Sequence, residues 1–276
     1  MRHLLALAVL LAAGCCTPSG QTPIFAETTL ARLELPERPT KIVRLSVGGA
    51  ESTWYVLSRD HLADAPAVER SEVTENYPGD PCDEESLGLF GRVDVCLAKR
   101  LSFGYSRREK GPPMGHATLY LAGPERERAR AGDFSLALTG AWGQDDAGET
   151  TEQSNGDTYR SHWNRKQRDL GLVAGVRTGR SVLLYGGPYR LRTNFSIDHE
   201  RPDAAPQSSG GTITATGWHI GISLFAGRNH SWLLEYSRAS VDAGNDDSIS
   251  NTGFKYQLEF GGKSPAPRRK PAPQPS

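Results

Sequence analysis

The feature that most constrains this chain is an alternation of apolar and polar residues that begins near residue 87 and recurs almost to the C-terminal end. A period of two marks a strand with one apolar face. Leu87, Leu89, Gly91, Val93, Val95 and Leu97 fall on one side of such a strand; Gly88, Phe90, Arg92, Asp94, Cys96 and Ala98 fall on the other. The same pattern returns at 101–105, 117–121, 134–142, 170–176, 183–197, 218–224, 232–236 and 254–260, which makes nine strands. Thirty Gly, 18 Pro and only two Met agree with strands and tight turns and argue against a helical bundle. The 32 basic and 32 acidic side chains cancel, which removes the electrostatic case for nucleic acid. No apolar run reaches the ~20 residues of a membrane-spanning helix.

Alternation alone does not separate a soluble sandwich from a barrel, but the connections do. Short links at 98–100, 178–181 and 227–230 alternate with long polar ones at 107–115, 143–168, 198–212 and 241–250, and 123–133 is the longer member of the short class. Short turns at one end and long loops at the other is the layout of a transmembrane β-barrel. Tyr105, Trp142, Trp218, Trp232 and Phe260 lie near strand ends on the apolar side, where interfacial aromatic girdles belong. With short turns periplasmic, the strand from 87 and the last strand both descend, so one more rising strand is required. Residues 40–58 supply it: Val43, Leu45 and Val47 alternate, Gly48-Gly49 permits a bulge, and Trp54 and Val56 resume on the opposite parity. The expected fold is therefore all-β, an antiparallel up-and-down transmembrane barrel of ten strands over residues 41–262, with eight strands as the alternative.

The first sixteen residues read as an export signal: Arg2 and His3, then the apolar stretch 4–13, then Gly14-Cys15-Cys16. Leu11-Ala12-Ala13-Gly14-Cys15 resembles the lipobox of bacterial lipoproteins, with Ala12 where that family most often has Leu. The resemblance implies cleavage after residue 14 and acylation, palmitate included, at Cys15. Residues 15–40 then form a polar, Pro-containing linker, and the Pro-rich tail 263–276 is extended and periplasmic.

The strand run resembles the small outer-membrane β-barrels of Gram-negative bacteria, the OmpA-like and OmpX-like group. Asn251-x-Gly253-x-x-Tyr256-x-Leu258, followed by Phe260, matches the assembly signal of their final strand. The resemblance implies an outer-membrane location, reading of the last strand by the barrel-assembly machinery, and contact with membrane lipid and lipopolysaccharide. Both termini are expected on the periplasmic side, with the long loops extracellular.

The inward polar set is Arg92, Asp94, Arg177, Arg190, Arg192, Glu235, Lys255 and Glu259. In a barrel of eight to ten strands the lumen is barely wider than its side chains. Buried charges there must pair or meet water, so the set is expected to plug the lumen as an ion-pair network. The acidic stretch 59–86 lacks EF-hand spacing and reads as a solvated outer loop, with no metal and no cofactor. Asp198-His199 invites comparison with the omptin proteases, but no second Asp pair stands at an equivalent height, and no catalytic residue is assigned. With Cys96 low on an inward face and Cys82 in the outer loop, no 82–96 disulfide is expected.

The function expected is non-enzymatic: a surface structural, adhesive or complex-forming barrel with a periplasmic or surface protein partner. One alternative is a narrow channel or an outer-membrane component of an envelope-spanning machine. The other is a periplasmic lipoprotein with a soluble lipocalin-like barrel, in which the apolar faces would point inward.

Overall fold

The computed structural model describes residues 25–28, 31–56, 86–108, 111–154, 157–200, 207–242 and 246–261. They form the strands β1 (Phe25–Thr28), β2 (Val43–Val56), β3 (Ser86–Ala98), β4 (Leu101–Arg108), β5 (Met114–Ala122), β6 (Phe134–Ser154), β7 (Asp157–Arg177), β8 (Val182–Glu200), β9 (Gln207–Ala226), β10 (His230–Asp242) and β11 (Asp246–Phe260). Strands β2 to β11 pair in sequence order, each antiparallel to the next. The ring closes where β2 pairs β11 on one side, Val43 facing Phe260, and β3 on the other, Val43 facing Val95. The barrel thus has ten strands, and closure leaves none of them as a free edge in the ring. No described helix is long and apolar enough to cross a membrane.

The pleat sorts side chains as a bilayer requires. Leu45, Val47, Leu89, Val93, Leu119, Leu138, Leu172, Ile220, Leu224, Leu234 and Phe254 are exposed on the outer face. The alternate positions Arg44, Ser46, Arg92, Asp94, His116, Thr139, Arg177, Glu235, Lys255 and Glu259 are buried inside. A polar interior and an apolar exterior invert the pattern of a soluble barrel, and so large a continuous apolar surface is tolerated only against lipid. Aromatic belts bound this surface. Trp218 and Tyr236 pack with ring centroids 5.8 Å apart towards one end, and Trp232 and Tyr256 at 4.7 Å towards the other. Phe134 and Trp142 stand eight residues apart on β6, about 26 Å along the strand, which at the ~40° tilt of such barrels is about 20 Å of height, within the ~25 Å apolar band.

Two sequence expectations change. The polar connections 143–168 and 198–212 are largely ladder: β6 and β7 stay paired from Phe134↔Val176 to Ser154↔Asp157, and β8 and β9 out to His199↔Gln207. Beyond the apolar band a hairpin has no face that lipid requires to be apolar, so no alternation marks it. At Gly48-Gly49 the β2 register is continuous with both neighbours, without a bulge. These glycines make room: a Cβ at Gly48 would lie 2.8 Å from the Phe90 ring inside, and one at Gly49 2.9 Å from the Phe254 ring outside. The described ends also lie on opposite sides of the barrel. Phe25 faces Val56 at the end of the long connections, whereas Phe260 faces Val43 at the end of the short turns. Residues 1–24, residues 57–85, which hold Cys82 and all of the acidic stretch 59–86 but its last residue, and residues 262–276 lie outside the described residues.

A closed barrel of this size is expected to resist SDS until boiled. The unboiled protein extracted from membranes should migrate differently from the boiled one on a gel, and a single mobility under both conditions would count against the ring.

Candidate functional site: a lumen threaded by the N-terminal segment

Between β1 and β2 the chain passes down the inside of the barrel. Residues 31–37 and Pro39 are buried, and they touch one strand after another around the ring. Ala31 lies against Gly253 on β11. Arg32 bonds Asp169 on β7 and, at 2.6 Å, the Thr139 hydroxyl on β6; its guanidinium sits 5.4 Å from the Tyr189 ring centroid on β8. Glu34 accepts from Arg92 on β3. Glu37 takes a two-pronged contact from Arg177, near the foot of β7, with Nη2 donating to Oε2 at 2.7 Å. Arg38 then reaches Glu125 in the β5–β6 connection at 2.9 Å. The order of partners runs from the long-connection end to the short-turn end, and β2 starts back up from Val43.

Leu33 fixes the path. It is buried with φ of 52°, a left-handed conformation that a branched residue adopts only under constraint. The constraint is explicit: the Glu235 carboxylate accepts the Arg32 N–H at 2.6 Å and the Leu33 N–H at 2.9 Å, while Lys255 donates to the Leu33 carbonyl. The kink places Leu33 and Leu35 in the apolar cluster with Ala50, Val173, Leu183, Tyr185, Phe225 and Leu233. Space for the segment comes from lumen-facing glycines. A Cβ on Gly171 would lie 2.7 Å from the Arg32 guanidinium, one on Gly175 2.8 Å from Pro36, and one on Gly253 2.8 Å from the Ala31 Cβ.

A second insertion closes the short-turn end. Arg126, in a single 3-10 turn (Arg126–Arg128), donates to Glu259 at 2.8 Å and to the His230 carbonyl at 3.0 Å. Arg126 and Arg177 stack on the Phe225 ring at 4.2 and 4.0 Å from its centroid. Arg44 lies 3.5 Å from Glu259. Towards the long-connection end, two cavities of about 20 Å³ each remain above the segment. Arg32, Arg108 and His116 line both, and each has room for about one water.

Of the eight residues expected in the lumen, Arg92, Asp94, Arg177, Glu235, Lys255 and Glu259 are inside and buried. Arg92 and Asp94 pair directly at 2.7 Å; Arg177 is neutralised by Glu37 of the threaded segment and Glu259 by Arg126 of the 3-10 turn, while Glu235 and Lys255 bond the backbone of the segment. Arg190 and Arg192 are a correction: they are exposed on the outer face, because the inner face of β8 carries Leu183, Tyr185, Tyr189 and Leu191 instead. There they stand across the β7–β8 ladder from Leu170 and Arg168. The polar linker expected at 15–40 is a further correction, since its last third is the filling of the barrel. Sequence reasoning also missed Arg44, His116, Arg126 and Asp169. Gly171, Gly175 and Gly253 on inward parity were the available signal that something other than a side chain fills the lumen.

Cys96 faces inward, half-buried, with a free thiol. Asp198 lies on the parity of Arg190 and Arg192, across from His162, on the outer face of the projecting hairpin rather than facing the mouth. Asn251 and Gly253 point inward on β11, and Tyr256, Leu258 and Phe260 outward, at the seam with β2. No group of three or more His, Cys, Asp or Glu suited to a metal occurs among the described residues.

A closed ten-stranded ring with a charged, filled lumen and a lipid-facing apolar exterior is a transmembrane β-barrel of the outer-membrane type. No family model and no curated protein matches the chain. Among solved structures it is similar to Ail, the attachment invasion locus protein of Yersinia pestis, at 11% identity and TM-score 0.34, covering 79% of this chain and 99% of that one. It is also similar to Neisserial surface protein A, at 13% identity and TM-score 0.27, covering 79% and 96%. A third similar structure is the outer membrane protease OmpT of Escherichia coli, at 8% identity and TM-score 0.32, covering 80% and 94%.

Removing one member of a fully buried pair leaves an uncompensated charge. Glu37→Ala should therefore cost about 3–5 kcal/mol, read as a lower urea midpoint for loss of the folded band in lipid vesicles. Glu37→Leu combined with Arg177→Met should recover most of that loss. A single variant with unchanged midpoint would show that the segment does not occupy the lumen.

Proposed function

We propose that this chain is a non-conducting, non-enzymatic outer-membrane barrel whose work is done by its outer surface, as a structural, adhesive or complex-forming protein. The threaded segment carries the reading. Ion pairs from Arg32, Glu34 and Glu37 to the wall and apolar packing of Leu33 and Leu35 fill the lumen along the segment, which argues against solute passage. What the barrel offers a partner is the pair of projections β6–β7 and β8–β9, which run on well past the aromatic belt. In this reading the long connections face outward and the short turns face the periplasm.

The lipid side of the same reading has its own support. Lys166, Arg168, Arg190 and Arg192 are exposed on the outer face, and Arg168 stands directly across from the belt residue Trp142. Like charges opposed in a ladder, as Arg168 and Arg192 are, destabilise it unless an anion joins them, and the phosphates of lipopolysaccharide are such anions at that height. The final strand bears the pattern Asn251, Gly253, Tyr256, Leu258, Phe260 for the assembly machinery, and Cys15 is the acylated residue of a lipoprotein signal. An Asp–His protease reading finds no support at Asp198, which is turned away from the mouth.

Two experiments test this reading. In planar bilayers the full-length protein should give no conductance steps, whereas deletion of residues 25–38 should open ion conductance; steady conductance in the intact protein would favour the narrow-channel alternative. Replacing 145–165 by an Asn-Gly turn should leave the heat-modifiable barrel intact. Attachment of expressing cells to protein-coated glass and their autoaggregation should both fall, and unchanged behaviour in both assays would remove the contact role from this projection.

A further inference from the structure

We infer that the barrel displays its own amino terminus: the residues before β1 emerge at the long-connection end, and acyl chains on Cys15 sit in the outer leaflet. The inference rests on the outer-membrane, acylated-Cys15 reading proposed above and adds the side of the membrane to it. An even number of strands would return both ends of a simple barrel to one side. Here the pass of residues 31–39 through the lumen adds one crossing, so Phe25 and Phe260 lie at opposite ends.

The direction is fixed by partners at three levels. Arg32 and Ala31 meet Asp169 and Gly253 high in the lumen, Glu34 meets Arg92, and Glu37 and Arg38 meet Arg177 and Glu125 beside the short turns. β1 then adds to the free upper part of β2, Thr28 opposite Thr53 and Phe25 opposite Val56, beyond the reach of the β2–β3 ladder that ends at Ser52↔Ser86.

Length decides where a lipid on Cys15 can go. The ten residues from Cys15 to Phe25 span at most about 33–36 Å extended. Phe25 stands opposite Val56, five residues past the level of the exposed Leu87, which faces Glu51, and so about 17 Å along the strand, and ten residues are enough to return from there to the near leaflet. They are too short to descend outside the barrel past the ~25 Å apolar band to the far leaflet. The lumen itself is occupied. Residues 15–24 read Cys-Cys-Thr-Pro-Ser-Gly-Gln-Thr-Pro-Ile and contain no charged side chain, so this stretch brings no unpaired charge through the barrel when the segment is placed.

The test uses the full chain in its native membrane. An epitope inserted between Gly20 and Gln21, and separately one after Ser276, is probed with antibody on intact and on lysed cells, and acylation is followed with radioactive palmitate in the parent and in Cys15→Ser. Expected is an N-terminal epitope bound on intact cells, a C-terminal epitope bound only after lysis, and a label lost in Cys15→Ser. An N-terminal epitope reached only after lysis, in protein that keeps its heat shift, overturns the display. Where the insertion abolishes the heat shift, Ser19→Cys labelled with a membrane-impermeant maleimide answers the same question, and labelling only after lysis overturns the display. An accessible N-terminal epitope without palmitate label overturns both the acylated reading and the outer-leaflet placement, leaving an exposed, unlipidated amino terminus.

Discussion

Neutralising charge inside a closed ring is the constraint from which the rest of this structure follows. Ten strands fix a lumen of about side-chain width, and the inner face carries Arg44, Arg92, Arg177 and Lys255 as well as Asp94, Asp169, Glu235 and Glu259. In so dry a space each charge needs a partner and further hydrogen bonds to offset its lost hydration. The wall supplies only part of this. Arg177 is met by Glu37, Asp169 by Arg32, and the second carboxylate at Arg92 is Glu34. Glu235 is satisfied by two backbone N–H groups that exist only because the chain kinks at Leu33. The barrel wall and the threaded segment are therefore one hydrogen-bonded unit, and neither is complete alone.

That unity has a consequence for assembly. The contacts of Leu33 with Glu235 and Lys255 join residues more than 200 positions apart, and β11 is also the strand that closes the ring onto β2. These contacts can form only after the chain from residue 33 to residue 255 has been brought together, and loop closure over such separations is what makes high-contact-order folds slow. The final strand then carries two roles at once: its outer residues Tyr256, Leu258 and Phe260 meet lipid, while its inner Gly253 and Lys255 lock the segment.

The fold was legible where one face met lipid and the other did not. On β3, β10 and β11 the strict alternation named both the inner and the outer residues, and the asymmetry of the connections distinguished a membrane barrel from a sandwich. Legibility failed where that contrast disappears. β8 has Leu183 buried and Leu184 exposed, because its inner face packs the apolar side of the threaded segment. Polarity then no longer tells inside from outside, and Arg190 and Arg192 change faces. The projections of β6 to β9 run beyond the apolar band, where lipid imposes no alternation, and their sequence carries no period. Residues 31–40 look like a linker, since their charges find partners far away in sequence. Only the inward glycines hinted at them.

Glycines and charges divide the task of holding the segment. Gly171, Gly175 and Gly253 create a groove, and a groove accepts many registers of an extended chain. The charge order selects one. Along the segment the signs run positive at Arg32, negative at Glu34 and Glu37, positive at Arg38, against Asp169, Arg92, Arg177 and Glu125 on the wall. A slip of two residues would put oppositely charged members of the segment in each other's places. In one direction it would set Arg32 at the level of Arg92. In the other it would bring Glu34 beside Asp169. Each slipped state buries like charges together, a cost of several kcal/mol for every unpaired ion, so the alternatives are excluded more strongly than the native register is stabilised. Buried ion pairs are costly as sources of stability; here their value lies in fixing the register of the thread.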